Sequence, residues 1–186
     1  MIWESWPWKQ ELLSHANNIE NSVSAYSIKM TEEEYGSNEF KLERSIFYSA
    51  FIVRKLIENA KLTDHCSNYK IKTQVFLAKE TEPTIRNYLG IEMGKDFKIQ
   101  PSNEIEISID KLMSELIHSF LLEWETDADG FLNAMFVSSY KNKKKRSLRI
   151  GFSDYCKAIR ILANDEVTSN HYYLDPDTGK VTAKLM

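Results

Sequence analysis

The apolar pattern is strongest in residues 38–62, a stretch of good helix formers in which hydrophobic side chains recur on nearly every side of a helix. A helix that is apolar most of the way round has to be covered by other elements. We therefore expect this helix to lie at the centre of the fold. On this expectation Phe51→Asp would unfold the protein, because a buried, unpaired charge costs several kcal/mol.

A second helical pattern precedes the central helix and predicts a helix over residues 7–25. Its apolar residues recur at steps of three or four: Trp8, Leu12, Ala16, Ile19 and Val23. From residue 69 onward the alternation of apolar and polar residues is typical of strands. The predicted strands cover residues 69–78, 97–100, 104–109, 131–140 and 147–152, with helices over about 110–120 and 153–164. An Asp-Pro-Asp-Thr-Gly turn at residues 175–179 predicts a C-terminal hairpin.

This order of elements predicts the α+β class: N-terminal helices, and a central apolar helix packed on a mostly antiparallel sheet formed by the C-terminal half. We expect one domain over residues 1–186, with a helical part to about residue 65 and a β-rich part after it. Only 6 Gly and 4 Pro occur, which disfavours a chain of linked modules.

Composition and charge narrow the function classes. The net charge of −3 gives no global attraction to nucleic acid or to anionic membranes. Cys66 and Cys156 have no metal-binding spacing and fit a reducing compartment. The chain shows neither a secretory leader pattern nor an apolar run long enough to span a bilayer. We expect a cytoplasmic protein without membrane contact, metal or cofactor.

Catalytic signals are weak, so the sequence leans against an enzyme without deciding the question. No phosphate-binding glycine loop, nucleophile elbow or helical histidine pair is present. His118 is the best acid–base candidate. The favoured alternative is a boundary histidine hydrogen-bonded to Ser114 or to the backbone. Asp127, Asp129 and Gly130 have the spacing of a calcium loop but lack its closing glutamate, which favours a hairpin turn.

A basic run forms a predicted hairpin tip in an otherwise acidic chain. Its cations are Lys141, Lys143, Lys144, Lys145 and Arg146, with Arg149 just beyond. Nucleic-acid phosphate is the obvious partner of such a cluster. The favoured alternative is a solvated turn that also blocks edge pairing between sheets.

Three tryptophans lie close together near the N-terminus: Trp3, Trp6 and Trp8. Indole side chains at such a place either fasten the first helix to the rest of the fold or contact another protein. Docking on the core is favoured, and partner binding is the alternative.

Taken together, these signals favour a non-catalytic, cytoplasmic protein-interaction or regulatory module. Its partner is expected to be another protein or a second copy of the same chain. The competing hypothesis is a protein that binds or cleaves nucleic acid through the basic tip, with His118 as the acid–base residue.

Overall fold

The structure is a computed structural model that describes residues 4–26, 30–79, 90–174, 176, 179 and 181–186. Its helices are α1 (Trp6–Ala25), α2 (Glu32–Glu58), α3 (Asp64–Ser67), α4 (Met93–Asp96), α5 (Ile109–Ile117) and α6 (Phe152–Ala163). Its strands are β1 (Lys70–Leu77), β2 (Asn103–Ser108), β3 (Ser119–Thr126), β4 (Leu132–Ser139), β5 (Arg146–Gly151), β6 (Asn170–Leu174) and β7 (Val181–Leu185). Trp3 and most of the predicted 175–179 turn lie outside the described residues.

The predicted α+β class is confirmed. Five strands form one sheet in the order β2-β1-β5-β4-β3, and every neighbouring pair in it is antiparallel. The predicted C-terminal hairpin is present as the separate antiparallel pair β6–β7. No helix of the described residues is long and apolar enough to cross a bilayer. The single domain and the cytoplasmic location stay predictions.

The main core lies between one face of the sheet and the helices. Because successive side chains of a strand point to opposite faces, the paired residues Val75, Leu148 and Val137 form one buried row toward the helices. α5 and α6 lie against the sheet, and α2 packs on α1, α5 and α6. The opposite face carries a smaller cluster in which the Phe76 and Phe136 rings meet edge to face at 5.2 Å.

α2 begins at Glu32, six residues before the predicted start, because Thr31 and Glu34 form a capping box. The Glu34 carboxylate accepts the Thr31 backbone N–H at 2.9 Å, and the Thr31 hydroxyl accepts the Glu34 N–H at 3.3 Å. These bonds satisfy N–H groups that the first turn otherwise leaves without a partner. The carboxylates of the three glutamates in that turn also interact favourably with the positive end of the helix dipole.

The expectation that α2 is covered on all sides is wrong. Leu42, Ile46 and Leu56 are fully buried against the neighbouring helices, whereas Phe40 and Phe51 on the opposite side face solvent. Since Phe51 is not a core residue, Phe51→Asp is not expected to unfold the protein. The helix therefore has two apolar sides, and among the described residues only one of them is buried.

Candidate interaction surfaces

Four aromatic side chains form an exposed patch on α2, which we call the aromatic row. Phe40, Phe47, Tyr48 and Phe51 are exposed to 61%, 36%, 55% and 45%. Steps of seven and four residues place the three phenylalanines on one line along the helix, and Tyr48 lies beside that line. This line is opposite the buried side of the helix, so folding alone leaves these rings in water.

Basic side chains cover part of the aromatic row. The Arg44 guanidinium carbon lies 5.9 Å from the centre of the Phe40 ring, and Lys55 Nζ lies 5.7 Å from the centre of the Phe51 ring. Tyr48 stacks on His15 of α1 with ring centres 5.6 Å apart. Cation–aromatic contacts such as those of Arg44 and Lys55 contribute about 0.5–1 kcal/mol at exposed sites.

The C-terminal end of the aromatic row is held by ion pairs. Arg54 contacts Glu58 at 2.9 Å and Asp110 at the start of α5 at 3.3 Å, and Lys55 contacts Glu58 at 2.7 Å. These groups are half-exposed, so the pairs carry no uncompensated buried charge. Arg54 and Lys55 are thus balanced by the carboxylates of Glu58 and Asp110.

The basic tip, residues 141–146, is the turn between β4 and β5. Lys143 is not free in solvent, because its Nζ lies 3.7 Å from the centre of the Phe120 ring and 3.9 Å from that of Tyr140. Lys141, Lys144 and Lys145 are exposed. The tip therefore presents three outward lysines and one lysine that is held between two rings.

A buried carboxylate anchors this turn. Glu115 of α5 accepts the Ser139 backbone N–H at 3.0 Å and the Asn142 side-chain amide, and Arg146 approaches it to 3.6 Å. Arg146 is thereby partly neutralised. Arg149 does not join the tip: it lies on β5, where it donates to the Glu125 carboxylate at 2.8 Å. The cluster of free cations at the tip is therefore smaller than the sequence predicts, because Arg146 is partly neutralised and Arg149 lies outside it.

His118 and the basic tip do meet in the structure. His118 follows α5, its backbone N–H donates to the Ser114 carbonyl at 3.2 Å, and its carbonyl accepts the Tyr140 N–H at 3.0 Å. Its exposed side chain lines a cavity of about 470 Å³ together with Lys141 and Arg146. This position fits both interpretations of His118, a boundary histidine and an acid–base residue beside a basic surface.

Trp6 and Trp8 are not docked on the core as favoured. Trp6 and Trp8 are exposed to 69% and 38%, which leaves partner binding as a prediction for both. Trp6 lines a cavity of about 560 Å³ in which Lys9 is buried. The Lys9 ammonium donates to the Asp165 carbonyl, and burial lowers its pKa. The sequence pattern missed this residue, because a lysine on an amphipathic helix normally marks the solvent side.

The acidic and thiol candidates take structural roles. The Asp127 carboxylate accepts the backbone N–H groups of Asp129 and Phe131, both at 3.0 Å, which confirms the predicted turn. Within the described ranges, no group of three His, Cys, Asp or Glu residues could hold a metal ion. Cys66 and Cys156 are buried free thiols.

The fold and its surfaces define an α+β protein with a five-stranded antiparallel sheet and an aromatic row on its second helix. No family model, no curated protein and no solved structure matches the chain.

Proposed function

We propose that the protein is a protein-interaction module without catalysis of its own, and that the aromatic row is its contact surface. The observation that carries this proposal is the exposure of three aligned phenylalanines, with Tyr48 beside them, on the side of α2 that the core does not use. Aromatic residues are enriched at the buried centres of protein interfaces and supply many binding hot spots.

The size of the patch supports the proposal. A buried aromatic side chain covers about 150–250 Å², so four rings that are about half exposed offer on the order of 400 Å². Contiguous patches of about 300–600 Å² are the largest on typical monomers and are often functional. The aromatic row would supply about half of one side of a standard interface of about 800 Å² per partner. The charged residues beside it, Lys41, Arg44, Arg54 and Lys55, would form the polar rim.

The thiols support the non-catalytic part of the proposal. Burial raises the pKa of Cys156 to about 12 and also raises the pKa of Cys66. The thiolate is the reactive form of cysteine, so both side chains are poor nucleophiles at neutral pH.

The test compares the wild type with Phe47→Ser/Phe51→Ser and with Ile99→Ser in the native host. Ile99 is 82% exposed and lies outside the aromatic row, so it is a matched control for the loss of an apolar surface side chain. Chemical cross-linking should recover the same partner with the wild type and the control, and lose it with the double variant. Binding is then measured with the purified partner; each lost hot spot of about 2 kcal/mol weakens Kd roughly 30-fold.

Equal melting temperatures of the three proteins establish that the double variant is folded. If the folded double variant binds the partner as tightly as the wild type, the aromatic row is not the contact surface and the proposal fails.

A second function is favoured by one specific observation, the cavity that places His118 beside Lys141 and Arg146. On this alternative, the protein binds or cleaves nucleic acid through the basic tip. Lys141, Lys144 and Lys145 are the residues to neutralise, since they are exposed and Lys143 is held between two rings.

The nucleic-acid alternative predicts binding that weakens steeply with salt. Replacing the three exposed lysines with Gln should reduce the slope of log K against log salt by about 2–3 units, since each contacted phosphate contributes about 0.7–0.9. His118→Ala should leave binding unchanged and remove any cleavage. If the wild type retains neither DNA nor RNA at about 50 mM salt, the tip is a solvated turn, since phosphate contacts are strongest at low salt.

A further inference from the structure

We infer that the cavity beside the basic tip is a binding site for a phosphate monoester, the dianionic group carried by a nucleotide or by the end of a nucleic-acid chain. The inference goes beyond the proposed contact surface, because the cavity shares no residue with the aromatic row. It also differs from the nucleic-acid alternative, in which the whole tip contacts phosphates along a strand. Its support is a convergence of cations, the rigid turn that carries them and the charge of the cavity.

Cations from separate elements meet in this cavity. Lys111 lies on α5, Lys141 lies in the turn, Arg146 begins β5, and all three line the cavity. His118 and the side-chain amide of Asn142 add polar groups. Lysine and arginine are the side chains that hold phosphate, lysine as a point charge and arginine as a two-pronged donor. Lys111 is distant from the basic run in the sequence, so the fold brings these cations together.

The lining of the cavity divides the basic tip into two groups. Lys141 and Arg146 line the cavity, whereas Lys143, Lys144 and Lys145 do not. The ammonium group of Lys143 is held between two aromatic rings instead. The site is therefore not the basic run as a whole, and it includes a lysine of α5 that the run lacks.

The turn that carries two of these cations is fixed by hydrogen bonds. The Ser139 carbonyl accepts the backbone N–H groups of Asn142 and Lys143 at 2.9 and 2.8 Å. The Asn142 carbonyl in turn accepts the Arg146 N–H at 3.0 Å. The Glu115 carboxylate accepts the Ser139 N–H, which fastens the turn to α5. Groups that are already held in place lose less conformational freedom when a ligand binds.

The charge of the cavity matches that of a phosphate monoester. One carboxylate lines it, that of Glu115, but this carboxylate is buried and accepts two hydrogen bonds, and Arg146 approaches it to 3.6 Å. Three cations against one carboxylate leave a formal excess of two positive charges. A phosphate monoester carries about −1.5 to −2 at pH 7, whereas a phosphate within a nucleic-acid strand carries a single negative charge.

The size of the cavity also fits such a ligand. Its volume of about 470 Å³ lies within the range of about 300–1,000 Å³ that is typical of small-molecule sites. Tyr140, whose ring is exposed, lines the cavity as well and offers an apolar surface to the sugar or base. The cavity therefore has room for the phosphate and for part of the molecule that carries it.

Heteronuclear NMR titration tests the site with two matched pairs of probes. One pair is adenosine monophosphate and adenosine, and the other is a short single-stranded DNA with a terminal phosphate and the same DNA with a terminal hydroxyl. Adenosine monophosphate is added to about 10 mM, which saturates a site with a Kd of about 1 mM. The phosphorylated probe should bind more tightly than its control, with the largest amide shifts at Lys111, His118 and Asn142. Binding of the nucleotide alone assigns the site to small phosphate esters, and binding of the phosphorylated DNA alone assigns it to chain ends.

Two double variants separate the cavity from the rest of the tip. Lys111→Gln/Lys141→Gln removes two cations that line the cavity, and Lys144→Gln/Lys145→Gln removes two that do not. All four lysines are exposed, so both variants lose the same charge and should melt at the wild-type temperature. The first variant should weaken binding of the phosphorylated probe roughly 100-fold, because each lost hydrogen bond to a charged group costs about tenfold. The second variant should change it little.

Three results would overturn the inference. Equal weakening by the two double variants would mean that the tip acts through its general charge. Equal binding of the two DNAs would show contact with the strand and support the nucleic-acid alternative instead. Failure of both phosphorylated probes to bind would leave the cavity without this ligand. None of these results involves the aromatic row, so the protein-interaction proposal fails or stands separately.

Discussion

Phe51 and Ile52 are neighbours along α2, yet they are exposed to 45% and 1%. Ile52→Asp removes burial worth about 1.5–3 kcal/mol and places a carboxylate without a partner in the core, which costs several kcal/mol more. The total approaches the whole stability of a domain, about 5–15 kcal/mol. Phe51→Asp loses only about half of the burial free energy of one side chain. The introduced carboxylate gains an i, i+4 pair with Lys55, which contributes about 0.2–0.5 kcal/mol. We expect a net loss of about 1 kcal/mol.

Urea unfolding followed by far-ultraviolet circular dichroism measures the difference. The Phe51→Asp midpoint should stay close to the wild-type value with an unchanged slope, whereas Ile52→Asp should be unfolded or nearly so. If Ile52→Asp cannot be purified, the alanine pair replaces it: Ile52→Ala should cost about 2–5 kcal/mol and Phe51→Ala much less. Equal destabilisation at the two positions would refute the orientation of α2 and, with it, the aromatic row.

Three further outcomes are expected. Ala60 has φ +53° just after α2, where a Cβ costs about 1–2 kcal/mol. Ala60→Gly should therefore raise the melting temperature by about 2–8 °C, while Ala25→Gly at the end of α1 should lower it. Burial, aided by Arg44 and opposed by Glu11, lowers the pKa of His15. Its stabilisation is fully present above the unfolded pKa of about 6.5 and is lost as the pH falls from there through the lower pKa of the folded state, so the stability of His15→Phe should depend less on pH below about 6.5. Glu115→Ala should cost about 3 kcal/mol in urea unfolding, because it strips a buried acceptor from the turn.

The strands that alternate cleanly were predictable. β1 and β5 show the period in the sequence: Ile71, Thr73 and Val75 in β1, and Leu148 and Ile150 in β5, fall at every second position and are buried on one face. β4 is buried on both faces and shows no such alternation. The end of α5 is predicted less well: Phe120 continues the apolar side of the helix, so the helix is expected to reach about residue 120 and the strand to follow from Leu121. α5 in fact ends at Ile117 and β3 starts at Ser119.

The predicted strand at residues 97–100 is wrong. Only Phe97 forms an isolated bridge, to Ala78. Ile99 turns outward into solvent, and Pro101 has no N–H for a ladder. Pairing along β1 resumes at Ser102, whose N–H donates to the Val75 carbonyl at 2.7 Å.

The surroundings of the basic tip depend on contacts between distant residues. Tyr140 reaches His118 because β3 and β4 pair as a hairpin, and Glu115 meets the turn only after α5 has packed beside β4. The order of charges along the sequence groups Arg146 and Arg149 with the lysines of the basic tip. In space each of the two has its own glutamate.

The sequence distinguishes the two sides of α2 by the type of apolar residue, and a hydrophobicity scale does not detect that difference. The inner side of α2 is built from aliphatic and small residues, Leu42, Ile46, Ser49 and Val53, whereas the phenylalanines fall on the other side. A scale that scores both groups as apolar predicts one buried helix. Aliphatic and small residues interlock closely in a helical core, but folding gives no reason to set large rings at steps of seven and four on the opposite side. Single exposed rings are ordinary on protein surfaces. Three on one helical line, two of them beneath Arg44 and Lys55, are the reason that the aromatic row is proposed as a contact surface.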